Sequence, residues 1–293
     1  MANPIITSLP AYVEQNRLPL IAKAAFAAKT AGILSLQTGV KGPTALNLIA
    51  QDVTFADGHT CSWTPSEGTE LSQRELKPAF VKVNIPFCTN SLVGKWAQNQ
   101  VRVAAGETNL PFEEEFVNGV LDAIKAKLEK MLWQGDDSLA YDGLLEIAAA
   151  DANVKKIDVA AGTGAYAAIL EAYNAYKNFK DDTVIFVGMD MYREYIQDLV
   201  EKNFYHYNPG SAPEEYMLPG TNVRVIGVHG LDGTKKIFMG NISEIVYGTD
   251  LEGDDEVFKL WFSDDNDEFR LAVKFIAGAQ YAFSDRILVA TVA

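Results

Sequence analysis

The chain of 293 residues is 48% hydrophobic and 11% aromatic, enough to bury one large core or two modest ones and too much for a disordered polymer. Its net charge of −14 repels phosphate backbones and argues against a nucleic-acid-binding face that works by counterion release. Two distant cysteines, Cys61 and Cys88, make neither a disulfide framework nor a zinc knuckle and point to a reducing compartment, while the lack of a basic leader or of an apolar run of roughly eighteen residues points to a soluble chain.

Residues 1–48 mix Pro, Ala and Lys, with a predicted short helix over 20–31 and loop signals at Gly39, Gly42 and Pro43. The apolar residues between Leu9 and Val40 have no evident core of their own, which predicts an arm buried against another chain. Segments 46–55 and 79–87 are strand-like, and the polar ADGHTCSWTPSEGTELSQRELKP lies between them. This predicts a long hairpin with an exposed tip.

Residues 111–134 carry the strongest helix signal. Pro111 suits a first helical position, Glu113, Glu114 and Glu115 complement the positive end of the helix dipole, and Lys125, Lys127 and Lys130 lie toward the negative end. Phe112, Phe116, Val120, Ile124 and Leu128 recur every fourth residue, and Val117, Leu121, Met131 and Leu132 widen the stripe. At 1.5 Å per residue the helix spans on the order of 35 Å. Trp133 and Trp261 are read as core anchors.

Two strand-helix units follow, KKIDVA with a helix over 166–179 and TVIFVG with a helix over 192–204. After Leu218 the pattern turns to short β-branched and aromatic runs punctuated by Gly and Asp. These predict antiparallel hairpins and no further helix.

Several motifs invite a chemical reading. KKIDVAAGTGAY, with Gly162 and Gly164, resembles the first motif of class I methyltransferases that use S-adenosylmethionine, and Asp190 ends the next strand where such enzymes keep an acid for the ribose. The tail lacks the crossovers that a parallel enzyme sheet requires. The plainer reading is a tight turn at the glycines and a helix cap at Asp190. Asp264, Asn266 and Glu268 alternate as in a calcium loop, but Phe269 stands where that loop needs Gly; Asp250, Glu252 and Asp254 miss in the same way. Acidic hairpin turns account for both. His59, His206 and His229 stand apart from any hydrolase motif.

The order of elements resembles the major capsid proteins of tailed bacteriophages, the Hong Kong 97-type fold. GVKGPTALNLIAQDVTFADGHTCSWTPSEGTELSQRELK looks like the arm and E-loop of phage head proteins. PFEEEFVNGVLDAIKAKLEKMLWQGD followed by YDGLLEI looks like their spine helix, and the stretch from PGTNVRVIGV to GAQYAF is similar to their C-terminal sheet. The resemblance implies an α+β fold. Residues 1–48 are then the N-terminal arm, 49–90 the E-loop hairpin, 91–136 the spine-helix part of the P-domain, 137–235 the A-domain, 236–276 the P-domain sheet and 277–293 the return strand of the A-domain.

It further implies a structural protein with no catalytic residue, cofactor or metal. Its main partner is itself, in hexamers and pentamers of an icosahedral head enclosing double-stranded DNA without sequence-specific binding. Scaffold, portal and decoration proteins are further partners, and no membrane is involved. The expected location is the virion, with the host cytoplasm during assembly. Trp63, Pro65 and Leu71 in the hairpin, with Phe112 and Phe116 at the start of the long helix, are the expected assembly contacts. Encapsulin nanocompartments resemble the same architecture and enclose a cargo enzyme instead; a long arm and E-loop favour the virus.

Overall fold

A computed structural model describes residues 4–51, 69–88, 112–204, 215–250, 257–266 and 268–293. The N-terminal segment is not an extended arm. It forms helices α1 (Pro4–Gln15), α2 (Arg17–Ala25) and α3 (Lys29–Ile33). Leu9 and Val13 on α1, Leu20, Ile21 and Ala24 on α2, and Ala28 and Ala31 at α3 face inward and join the main core of this same chain. Those side chains do have a core of their own, and the expectation of burial against another chain is corrected.

Strand β1 (Ser35–Gln37) is followed by β2 (Thr44–Gln51), β3 (Thr69–Leu76) and β4 (Ala79–Cys88). The hairpin pairs β2 with β3, Thr44 opposite Leu76 and Gln51 opposite Thr69. Its second arm is thus a stretch that the sequence presents as polar tip, and the expected second arm, β4, lies in a core sheet. The reason is burial: TELSQREL has no one-sided apolar alternation to betray a strand, whereas Val81, Val83, Ile85 and Phe87 alternate and pack against the core.

Helix α4 (Phe112–Gln134) matches its predicted span within a residue. Val117, Val120, Leu121, Ile124, Leu128, Met131 and Leu132 are buried along one stripe, each worth roughly 1.5–3 kcal/mol of apolar transfer. Short helix α5 (Leu144–Ala150) leads into β5 (Lys155–Val159), α6 (Ala165–Ala175), β6 (Thr183–Gly188) and α7 (Met189–Glu201). The remaining strands are β7 (Glu215–Met217), β8 (Arg224–Val228), β9 (Lys236–Asn241), β10 (Ile245–Thr249), β11 (Val257–Ser263), β12 (Glu268–Tyr281) and β13 (Leu288–Val292). Among the described residues after Leu218, only 3-10 turns interrupt them.

The tail is less antiparallel than its texture predicts. A six-stranded sheet runs β5-β13-β9-β6-β8-β7, and within it β8 lies parallel to β6 and β13 parallel to β5. Helix α7 supplies the crossover between β6 and β8 that a parallel pair requires. The hairpin of the predicted kind joins β11 to β12, Ser263 opposite Glu268. A five-stranded sheet has the order β1-β10-β12-β11, with β4 on the other side of β12. The chain changes sheet at the 3-10 turns 242–244 and 284–286, so β9 belongs to the six-stranded sheet and β12 runs unbroken past 276 to Tyr281.

Both faces of the six-stranded sheet are packed. Ile185, Val187, Ile237, Met239 and Leu288 face the cluster formed with α6 and α7, while Val184, Phe186, Phe238 and Val289 face the main core. Trp133 at the end of α4 is fully buried there, its ring 5.1 Å from Phe186 and 5.3 Å from Phe238. Gly230 permits this contact, since a Cβ at that position would sit 2.3 Å from Trp133 Cδ1 and 2.4 Å from the Glu129 carbonyl oxygen. Trp261 is not a core anchor: it is 37% exposed on β11, with Lys259 Nζ 5.7 Å from its ring centre.

Candidate functional site

The root of the β2–β3 hairpin carries a network of polar contacts to distant parts of the chain. Leu46 and Leu76 close with Val40 into a small apolar cluster of their own. Arg74 on β3 donates from Nη2 to Asp151 Oδ2 at 2.8 Å, and its guanidinium lies 4.1 Å above the ring of Tyr281. The Tyr281 hydroxyl donates to the same carboxylate at 3.2 Å, and Gln280 Nε2 donates to the Glu75 carbonyl at 3.1 Å. Burial raises the Asp151 pKa, but the Asn153 amide and the Arg74 guanidinium outweigh it and hold the carboxyl below its ordinary range. Burial pushes the Tyr281 hydroxyl up, so it stays protonated and able to donate. A cleft of about 500 Å³ opens beside this network, lined in part by Arg74, Tyr141, Asp151 and Gln280. The hairpin is therefore tied at its base to α5 and β12 rather than hinged freely.

The expected contact residues divide. Trp63 and Pro65 lie outside the described residues. Leu71 stands in β3 opposite Ile49. Phe112 opens α4. Phe116 is half-buried and meets Phe87 of β4 edge-on, with ring centres 4.7 Å apart. Sequence reasoning missed Arg74, Asp151 and Tyr281, because an ion pair across 77 residues of chain leaves no local pattern.

The Gly-rich turn is built for packing. Gly162 has φ +79°, and Gly164 precedes α6. The amide of Tyr166 in the first turn of α6 donates to Asp198 Oδ2 of α7 at 2.9 Å, so this chain's own carboxylate occupies the anion position at the helix start. Strands β13 and β9 separate β5 from β6, so the two motif strands are not neighbours. Asp190 stands in the first turn of α7 rather than at its N-cap, Gly188, and still serves that end of the helix: its Oδ1 accepts from the Met191 amide at 2.8 Å and its Oδ2 from the Gly233 amide at 2.9 Å, while Asp232 Oδ1 takes the Met189 amide at 2.5 Å. Asp264 and Asp265 sit in the turn between β11 and β12, and Glu268 Oε1 pairs with Arg270 Nε at 2.9 Å. His229 Nδ1 lies 2.8 Å from Asp232 Oδ2. His59, His206, Cys61, Glu252 and Asp254 are outside the described residues. Among the described residues no helix is long and apolar enough to cross a membrane, and no cluster of His, Cys, Asp or Glu has the makings of a metal site.

No protein-family model and no curated protein matches the chain. Solved structures do. A chain of the satellite phage P4 procapsid that includes size determination (Sid) protein is similar over 100% of this chain and 98% of its own, with a TM-score of 0.63 at 8% identity. The fold is that of phage capsid proteins. The capsid of an empty GTA particle shares this capsid fold with a TM-score of 0.57 at 10% identity, over 92% of this chain and 90% of its own. The virus-like particle from Pyrococcus furiosus does so with a TM-score of 0.57 at 10% identity, over 95% and 99%. These identities make the likeness one of capsid fold, carried by the mixed α+β arrangement of sheets and helices.

Proposed function

We propose that this chain is a major capsid protein of a tailed phage or prophage, assembling with itself into the hexamers and pentamers of an icosahedral head around double-stranded DNA. The observation that carries this reading is the end-to-end match to a procapsid chain, over 100% of this chain and 98% of that one. In this reading the elements have the Hong Kong 97-type roles. The hairpin on β2 and β3 is the E-loop, α4 the spine helix, the five-stranded sheet the P-domain sheet, and the six-stranded sheet with α6 and α7 the A-domain. A rigidly rooted hairpin suits a reach across a neighbour, with Trp63, Pro65 and Leu71 as contacts, and Phe112 and Phe116 as candidates at the start of α4. Scaffold, portal and decoration proteins complete the proposed partners. The protein acts in the virion after assembly in the host cytoplasm, without enzymatic activity.

A nanocompartment shell of the encapsulin kind is the second reading. The helical N-terminus favours keeping it, since the extended arm that spoke for the virus is replaced by α1, α2 and α3. Electron microscopy of the purified protein tests both. Closed shells or capsomers are expected, and a protein that remains monomeric by light scattering across salt and concentration ends both. Shells that co-purify with one cargo enzyme would select the compartment, and shells that package DNA when expressed with their natural neighbours would select the virus.

A further inference from the structure

Three connections join the two sheets, and two of them pass one carboxylate. The chain runs from β9 to β10 through Ile242–Glu244 and from β12 to β13 through Ser284–Arg286. Glu244, only 5% exposed, lies in the first crossing. Arg286 Nη1 in the second crossing donates to its Oε1, as does Lys180 Nζ at 2.7 Å from the loop before β6. Asn241 Nδ2 donates to Oε2 at 2.9 Å, and the Glu244 carbonyl accepts from the Ala282 amide at 2.7 Å. Around this centre the Tyr176 hydroxyl at the end of α6 donates to the Arg286 carbonyl at 2.9 Å, and Asp182 Oδ2 accepts the Ser243 amide at 2.7 Å.

The contact of α4 with the six-stranded sheet is apolar by contrast: Trp133 packs against Phe186 and Phe238, with Gly230 tight against α4. An apolar contact of that kind tolerates small rotations, because dispersion is non-directional. The charged cluster does not, since its hydrogen bonds weaken steeply with angle. We propose that Glu244 is a releasable latch that holds the two crossings together and so sets the angle between the two sheets.

The charged and titratable groups facing the latch are Lys180, Arg286, Asp182 and Tyr176. Burial raises the Glu244 pKa, but Lys180, Asn241 and Arg286 overcome it and hold the carboxyl below its usual 4.5. Burial likewise raises the Asp182 pKa, and the Ser243 hydrogen bonds hold it below 3.8. Both folded-state values are depressed, so the latch contributes fully above the ordinary 4.5 and 3.8 and is lost as pH falls through the lower folded-state values. Burial pushes the Tyr176 hydroxyl up, so it stays protonated throughout.

Hydrogen exchange of the full chain at pH 7 tests the proposal. Glu244→Gln is expected to speed exchange of the Ile242, Ser243 and Ala282 amides at least tenfold, with the amides in the middle of β6 and β12 unchanged. Arg286→Met is expected to do the same, and Arg286→Lys to restore part of the protection. Equal acceleration throughout both sheets would reduce Glu244 to an ordinary buried ion pair, and no acceleration would show that the latch bears no load; either result overturns the proposal. If the variants do not fold, the wild-type chain decides. As pH falls from 6 to below 4.5, with intrinsic exchange rates divided out, the same three amides must lose protection before the strand centres do, and simultaneous loss also overturns it.

Discussion

The two sheets solve burial differently. In the six-stranded sheet, β6 is buried at every position and consecutive side chains enter different cores. In the five-stranded sheet, β4 and the first half of β12 are packed on one face and open on the other, with Lys82 directly opposite Lys274 on the open side. A strand between two cores reads as a continuous apolar run, and a strand over one core reads as an alternation. The difference teaches where a substitution will be felt, because TVIFVG has no neutral position and AFVKVNIPFC has one at every second residue.

The comparison breaks most sharply at Trp133 and at the glycine packed against it. Trp133→Ala removes the ring that both Phe186 and Phe238 pack on, together with a donor to Thr30 Oγ1 at 2.7 Å. It should lower the unfolding free energy by about 3–5 kcal/mol in urea titrations. Gly230→Ala places a methyl group against backbone and should cost about 1–3 kcal/mol by the same measurement; a neutral result would mean that α4 docks on the turn between β8 and β9 less tightly than the geometry states. Arg74→Met unties the hairpin root and should cost about 1–3 kcal/mol for the lost charge-assisted hydrogen bond, with faster exchange confined to β2 and β3. Because the Asp151 pKa is depressed, this difference from wild type should be complete above pH 3.8 and shrink as pH falls through the folded-state value. Trp261→Ser, on the open face, should change stability by no more than about 0.5 kcal/mol in thermal melts. A larger loss there would mean that the face is covered within the monomer.

Much of the frame was legible. The stripe from Val117 to Leu132 needs only the helical repeat, and α4 is where that repeat puts it. The helix-free tail was equally plain, since β-branched runs broken by Gly and Asp leave no room for one. The N-terminal helices were mostly missed because each is short and their apolar residues are interspersed with Pro4, Pro10 and Pro19. The hairpin partner was missed because β3 carries no apolar alternation. Leu71, Phe112 and Phe116 are contacts expected from the sequence and belong to the proposal, whereas the networks of Arg74, Asp151, Tyr281 and Glu244 could not be read there. Each is a polar side chain whose partner is supplied by a distant part of the chain.

The sequence by itself determined the α+β class, the long helix and the strand-rich tail, because local periodicity and turn chemistry act within a few residues. Only the tertiary structure decided that tail strands re-enter the α/β layer in parallel and that Asp198 fills the anion position at the Gly-rich turn. It also brought both sheet crossings to Glu244. These depend on which distant groups compensate one another's buried charge and backbone, and sequence spacing carries no record of that.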